Sequence, residues 1–342
     1  MSKKPNIILF FTDQLRADAL ACYGNDICKT PNLDKLATES IVFDYAYCPI
    51  SVCSPSRASL MSGLYPHNHK TMINTHIAPA FNVGLPLETP TFSKVLKEHG
   101  YAMDYIGKWH VNEEHDPTEF GFDRHLEIIP DETINMIKEE AVFLDFPGGE
   151  NLMCAPSKCS VEETRTGLLM DKAQQFIKER AQQEQAFFLR MDTSAPHFFN
   201  IIPEPYASMY DPESIPPWGN FDESFEGKPD GHLRKHQEWH LEDKDWSWWQ
   251  KLLAFYYGDV SMQDYFVGQM LDCIKDAGIE DNTIFIFASD HGDSMGSHKH
   301  FEKGGTMYEE VMRVPLIIKM PNGEGAGTRC KEFVQLMDLM PT

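Results

Sequence analysis

The chain has 342 residues, room for one large or two ordinary domains, and its 42% hydrophobic and 24% charged residues exclude disordered and fibrous classes. A formal net charge of −22 repels nucleic-acid phosphates and anionic lipid, so neither nucleic acid nor membrane is expected as a partner. An anionic substrate would need local cations or a metal to overcome that field. No stretch reaches the roughly 18 apolar residues that cross a bilayer. The run 7–11 behind the basic start Lys3-Lys4 is too short for a signal-peptide core, so the chain reads as cytoplasmic, as would one with its signal trimmed. Eight cysteines lie far apart with no Cys-x-x-Cys pair, which argues against a zinc cage and a disulfide framework.

Short β-rich runs alternating with helical patterns predict a doubly wound α/β sheet. In chain order, residues 6–11 read as a strand, and Thr30-Pro31 caps a helix carrying Leu33, Leu36 and Ala37. Ser54 as N-cap, Pro55 as first helical residue and Gly63 as stop predict a helix with Cys53 just before its N-terminus. Thr89-Pro90 starts a further helix closed by Gly100, and 102–106 is the next strand. Ser160 to Glu163 has the form of a capping box that opens a long helix through Ile177. After a strand at 186–191, residues 203–250 are rich in Pro, Trp and charge. They read as an irregular excursion, a lid over the core that can also line a substrate entrance. A helix over 256–277 ending at Gly278 and a strand at 283–288 follow, and residues 336–342 read as a helix start.

Polar residues collect behind four of these strands: Asp13 and Gln14, Lys108 and His110, Asp192 and His197, Asp290 and His291. In an open parallel sheet, ligands bind outside the carboxyl ends of strands, so these residues can share one cleft. Singly, each reads as a turn former, a cap or a surface histidine; the fourfold repetition is the signal. Asp13, Gln14, Asp290 and His291 offer mostly oxygen donors, which suits Ca²⁺, or Mg²⁺ or Mn²⁺, better than zinc or copper. Cys53 beside a helix N-terminus, with Arg57 one turn in, has two readings. It is a buried thiol, or a nucleophile activated by the dipole and the guanidinium.

The run Cys53-Ser54-Pro55-Ser56-Arg57-Ala58-Ser59-Leu60-Met61-Ser62-Gly63 resembles the signature of the type I sulfatases, in the alkaline phosphatase superfamily. Residues 6–16, Gly107-Lys108-Trp109-His110, Ala195-Pro196-His197, Ser289-Asp290-His291-Gly292 and Lys303 resemble further elements of that family, in order across nearly the whole chain. The resemblance implies one α/β/α sandwich around a mainly parallel mixed sheet, with residues 1–342 as the catalytic domain. It also implies a small C-terminal subdomain, which is expected to be missing from residues 1–342. By the same resemblance a maturation enzyme converts Cys53 to formylglycine, whose hydrate attacks sulfur with one hydroxyl and expels sulfate with the other. Asp13, Gln14, Asp290 and His291 then hold the divalent metal, Arg57 supports the formylglycine, and Lys108 and Lys303 clamp sulfate oxygens. His110 is the base that collapses the sulfated hemiacetal, and His197 is a sulfate contact and the acid for the leaving alcohol. The expected substrate is a small-molecule or carbohydrate sulfate ester.

Two departures keep rivals open. Many family members have Asp at the position of Gln14 and Asn at that of His291. The glutamine and the histidine found here both occur in phosphonate monoester hydrolases, and the Asp-Gln form also in a number of bacterial sulfatases, so phosphonate monoester or phosphodiester hydrolysis is the first alternative. A silent anion-binding homologue with unmodified Cys53 is the second. Among the other histidines, His67 and His69 are expected to pack or cap beneath the site, His298 to sit at its rim and His300 to be solvated. His232, His236 and His240, spaced by four, read as one solvated helix face rather than a second metal site.

Overall fold

Alternate side chains of a β-strand go to opposite faces, and the first strand, β1 (Asn6–Asp13), is apolar on both. In the computed structural model, which describes residues 4–77 and 82–342, Ile8 and Phe10 enter one core while Leu9 and Phe11 enter another. A strand buried on both faces must lie inside a sheet covered by helices on each side.

The helices are α1 (Pro31–Thr38), α2 (Cys53–Ser62), the single turn α3 (Pro66–His69), α4 (Phe92–Glu98), α5 (Arg165–Ala181), α6 (Asp230–Glu238), α7 (Trp246–Asp276) and the single turn α8 (Glu309–Met312). The remaining strands are β2 (Ile41–Tyr47), β3 (Ala102–Gly107), β4 (Arg124–Leu126), β5 (Val142–Phe146), β6 (Gly149–Ser157), β7 (Phe187–Pro196), β8 (Asn200–Pro203), β9 (Thr283–Ser289), β10 (Leu316–Lys319) and β11 (Thr328–Gln335). Eight of them form one sheet in the order β11-β2-β10-β9-β1-β7-β3-β4. Only β10 runs antiparallel to its neighbours; the other pairs are parallel. Apolar residues of α1, α5 and α7 cover the Ile8 face, and those of α2 and α4 cover the Leu9 face. This is the expected α/β/α sandwich.

The departures are local. Cys53 is the first residue of α2, with Val52 in the N-cap position, so it lies inside the helix start. The Ser160–Glu163 box closes on a 3-10 turn, and Thr164, accepting from Gly167 N–H, caps α5 itself. Thr91, one residue past Pro90, caps α4. The excursion is less irregular than expected: it holds α6, and α7 begins ten residues before position 256. A second sheet, β5-β6-β8, had no counterpart in the strand reading. Among the described residues, no helix is long and apolar enough to cross a membrane.

The central strands end side by side, with Thr12 of β1 opposite Ser289 of β9 and Phe11 opposite Asp192 of β7. The close of β3 depends on Gly107, at φ 97°, where a Cβ would stand 1.9 Å from the Asp192 carbonyl oxygen. That oxygen accepts Lys108 N–H at 3.0 Å. The clash is with backbone, so Gly107→Ala is expected to cost about 3 kcal/mol or more. The check is a lowered urea midpoint; an unchanged midpoint contradicts this packing.

Candidate active site

Asp13 and Gln14 leave β1 where Asp290 and His291 leave β9, and Gln14 N–H donates to Asp290 Oδ1 at 3.1 Å across that seam. The start of α2 comes down on the same point. Cys53 Sγ lies 3.2 Å from His291 Nε2 and 3.6 Å from Asp13 Oδ1, and Ser56 Oγ donates to the Asp290 carbonyl at 2.7 Å. Asp13, Gln14, Cys53, Arg57, Asp290 and His291 are all buried.

Arg57 joins this cluster. Its guanidinium donates to Asp290 at 2.8 Å, Asp192 at 2.7 Å and Asp13 at 3.1 Å, with every partner fully buried. No bond from it to Cys53 exists: Arg57 acts on the carboxylates around the sulfur. Asp192 is held further by Arg190 and by Tyr105 Oη–H. Lys108 Nζ donates to Asp13 at 2.5 Å. Lys303 Nζ reaches both Gln14 Oε1 and His197 Nε2, each at 2.5 Å.

These cations set the protonation states. Against its burial and the nearby Cys53, Lys108 and Arg57 hold Asp13 well below the usual carboxylate range. Burial and the adjacent Asp13 push Asp290 up. Burial alone would raise Cys53, yet Lys303, Lys108 and His291 pull it far below an ordinary thiol. His291 is lifted to about 9: burial opposes the charge, but Asp290 and Cys53 outweigh it.

Asp13, Cys53, Asp290 and His291 offer ligand atoms that all lie within 4.8 Å of one another. His291 Nδ1 faces the Gly292 carbonyl at 2.8 Å, which leaves Nε2 for a cation. Gln14 Nε2 donates to Asp293 Oδ2 at 2.5 Å, which fixes Oε1 as the atom toward the cluster. Two carboxylates, one amide oxygen and one imidazole fit a hard divalent ion.

His110 and His197 flank the mouth. His197 Nδ1 faces the Phe198 carbonyl, so Nε2 accepts from Lys303. His110 Nε2 meets His76 Nδ1 at 2.6 Å. An open cleft of about 540 Å³ runs outward between them, lined by Trp109, Phe198 and Phe199 and by Glu113, Glu127 and Arg165.

Sequence reasoning missed Arg190, His76, Glu113 and Asp293. Arg190 and Asp192 stand at i, i+2 in an otherwise apolar strand and so share a face, a readable sign of a buried pair; His76 lies in a loop without any such sign. His69 packs beneath α2, with Nε2 3.0 Å from Ser59 Oγ, and His67 lies at the exposed turn. His298 stacks on Tyr308.

His300 is not solvated: it is fully buried beside Phe225, His232 and Tyr308, and burial lowers it to about 3. Nor are the spaced histidines a solvated face. His236 is buried with Nδ1 against the Lys299 carbonyl at 2.7 Å, His232 Nδ1 pairs with Tyr308 Oη, and His240 lies beyond α6 against Phe146. Their helix is clamped inward because Lys235 Nζ donates to the carbonyls of Lys303 and Gly304 at 2.6 and 3.0 Å.

Residues 5–342 match the protein family described as Sulfatase. The chain is 30% identical over 374 residues to an arylsulfatase of Clostridium perfringens, covering 99% of this chain and 74% of that protein. It is 28% identical to an N-acetylglucosamine-6-O-sulfatase of Bacteroides thetaiotaomicron, covering 100% and 67%. A phosphonate monoester hydrolase of Agrobacterium radiobacter shares the fold, with TM-score 0.77 at 24% identity over 99% of this chain and 73% of that one.

Two results are expected of this site. Arg57→Met strands Asp290 and takes one of two cations from Asp13 and from Asp192, and should cost about 3–5 kcal/mol, read by urea unfolding. With His291 lifted to about 9, a cation must displace its proton. Affinity for Mn²⁺ or Ca²⁺ should therefore rise from pH 6 to 9, with proton release seen in the buffer dependence of the calorimetric heat. A pH-independent affinity would contradict it.

Proposed function

Because the chain belongs to the sulfatase family, and so is an enzyme that hydrolyses sulfate esters, we propose that it cleaves the sulfate ester of a carbohydrate through formylglycine made from Cys53. One observation carries this reading: Cys53 lies against Asp13 and His291 in a pocket whose other walls are Lys108 and Lys303. The family resemblance supports Cys53 as the cysteine to be oxidised. A maturation enzyme acting on Cys53 is part of the proposal.

Asp13, Gln14, Asp290 and His291 would hold a divalent ion, Ca²⁺ by the hardness of the donor set. When bound, such an ion polarises a sulfuryl oxygen and favours ionisation of the neighbouring hydroxyl. The modified residue supplies a carbon with two hydroxyls, one to attack sulfur and one to expel sulfate afterwards. Lys108 and Lys303 neutralise the oxygens of the transferring group and orient it for in-line attack. Lys303, raised by Cys53 and Glu302 against its burial, keeps its proton and donates toward His197 Nε2. At cleavage the proton held between Lys303 Nζ and His197 Nε2 passes to the departing alcohol oxygen, and water restores it to Lys303 afterwards. His110 takes the proton of the second hydroxyl as the carbon–oxygen double bond forms and the bond to sulfate breaks; the electron pair leaves with sulfate.

The carbohydrate reading rests on the cleft. Trp109, Phe198 and Phe199 offer rings to a sugar face, and Glu113, Glu127 and Arg165 offer partners for its hydroxyls. The likeness to an N-acetylglucosamine-6-O-sulfatase supports the same class. Gln14 and His291 leave phosphonate esters as the competing substrate.

Protein co-expressed with a formylglycine-generating enzyme should carry an aldehyde at position 53, read by peptide mass spectrometry, and should hydrolyse 6-O-sulfated glucosamine faster than an aryl phosphonate monoester. Cys53→Ala should fall to background. An unmodified Cys53 under those conditions, or faster phosphonate cleavage, would overturn the reading.

A further inference from the structure

Two imidazoles meet at the cleft mouth, and the proposed chemistry uses only one. His110 Nε2 and His76 Nδ1 are 2.6 Å apart, with the ring planes 19° from parallel and the centroids 4.7 Å apart. So short a nitrogen separation across so wide a centroid separation means that the rings meet edge to edge, through an N–H···N bond. At that distance the two lone pairs cannot face one another, so one ring donates.

The other nitrogen of His110, Nδ1, is buried without a partner. Burial holds the ring below its ordinary pKa, with the nearby Cys53 opposing. With Nε2 committed to His76, Nδ1 is the nitrogen left for residue 53. A neutral imidazole has one donor and one acceptor, and the group on its far side decides which is which.

His76 is held in place by the nucleophile helix itself. Asn74 Oδ1 accepts Ser54 N–H at 3.1 Å, Thr75 N–H donates to Ser54 Oγ at 3.3 Å, and Thr75 Oγ1 donates to Glu113 Oε1 at 2.5 Å. The loop ahead of His76 is thus clasped between the residue after Cys53 and the segment after His110. His110 itself sits at φ 52°, a backbone region that a side-chain-bearing residue keeps only when its surroundings dictate it.

We propose that His76 is a positioning residue that accepts the Nε2 proton of His110 and thereby presents a bare Nδ1 to residue 53. The inference rests on the reading of His110 as the base of the sulfate-release step. With the reverse tautomer, His110 would offer residue 53 a second donor and could not take a proton from a hydroxyl there. His76 never touches substrate; it acts through His110.

The test has two arms. In ¹⁵N-histidine-labelled full-length protein with unmodified Cys53, His110→Asn identifies the His110 signals. Wild type should show a pyridine-type Nδ1 and a pyrrole-type Nε2, and His76→Ala should mix the two forms. In the matured enzyme, His76→Ala should lower kcat roughly 10- to 100-fold with KM falling alongside it, so that kcat/KM is nearly unchanged. It should also show a burst of one alcohol per active site, because release of sulfate now limits turnover. His76→Asn places a side-chain oxygen where Nδ1 stood and should restore both the tautomer and most of kcat.

A pyrrole-type Nδ1 in wild type, or His110 signals and turnover unmoved in His76→Ala, overturns the proposal. If His110→Asn gives no burst, the base assignment itself fails, and the NMR arm still decides what His76 does. A burst in His110→Asn but none in His76→Ala overturns the present inference alone.

Discussion

One guanidinium holds the site together. Asp13 and Asp290 stand at the ends of β1 and β9 and Asp192 within the neighbouring β7, all away from water, and each would repel the others without Arg57 between them. Arg190 and Lys108 complete the balance against Asp192 and Asp13. This explains how a chain of net charge −22 can receive an anion. The carboxylates are neutralised where they stand, and Lys303, paired with Glu302, points its ammonium at the mouth.

The excursion serves the same centre. Helix α6 is tied down by Lys235 on the carbonyls of Lys303 and Gly304, and His236 on that of Lys299. Trp239 and Trp249 pack against Phe301, two residues before Lys303. The tryptophan-rich segment therefore fixes the loop that carries one cation of the site, which a solvated lid could not do.

Much of this was legible in the sequence, and the reasons are physical. The central strands were readable because burial on both faces demands continuous apolar runs, and the polar residues behind them stood out against those runs. Cys53 and Arg57 were readable because Pro55 and Gly63 mark out a short helix, although it starts two residues ahead of Pro55. Strands β5 and β6 were not, since their half-exposed residues carry no clean alternation, and β8 is a buried run of four residues, too short to read. His300 and His236 went wrong because a histidine's polarity suggests water, while their burial depends on Phe225 and Tyr308 arriving from distant loops. Nothing around His76 marked it, because its partner lies 34 positions away.

The account stands on a cation and residue 53 sharing one hollow. Anomalous diffraction from crystals of the matured protein soaked in Mn²⁺ measures this directly. The account predicts a peak bonded to Asp13, Gln14, Asp290 and His291 and facing residue 53. A peak seated instead on His76, His110 and Glu113, the other group of ligand atoms within 4.8 Å of one another among the described residues, with none at the strand ends, would contradict it.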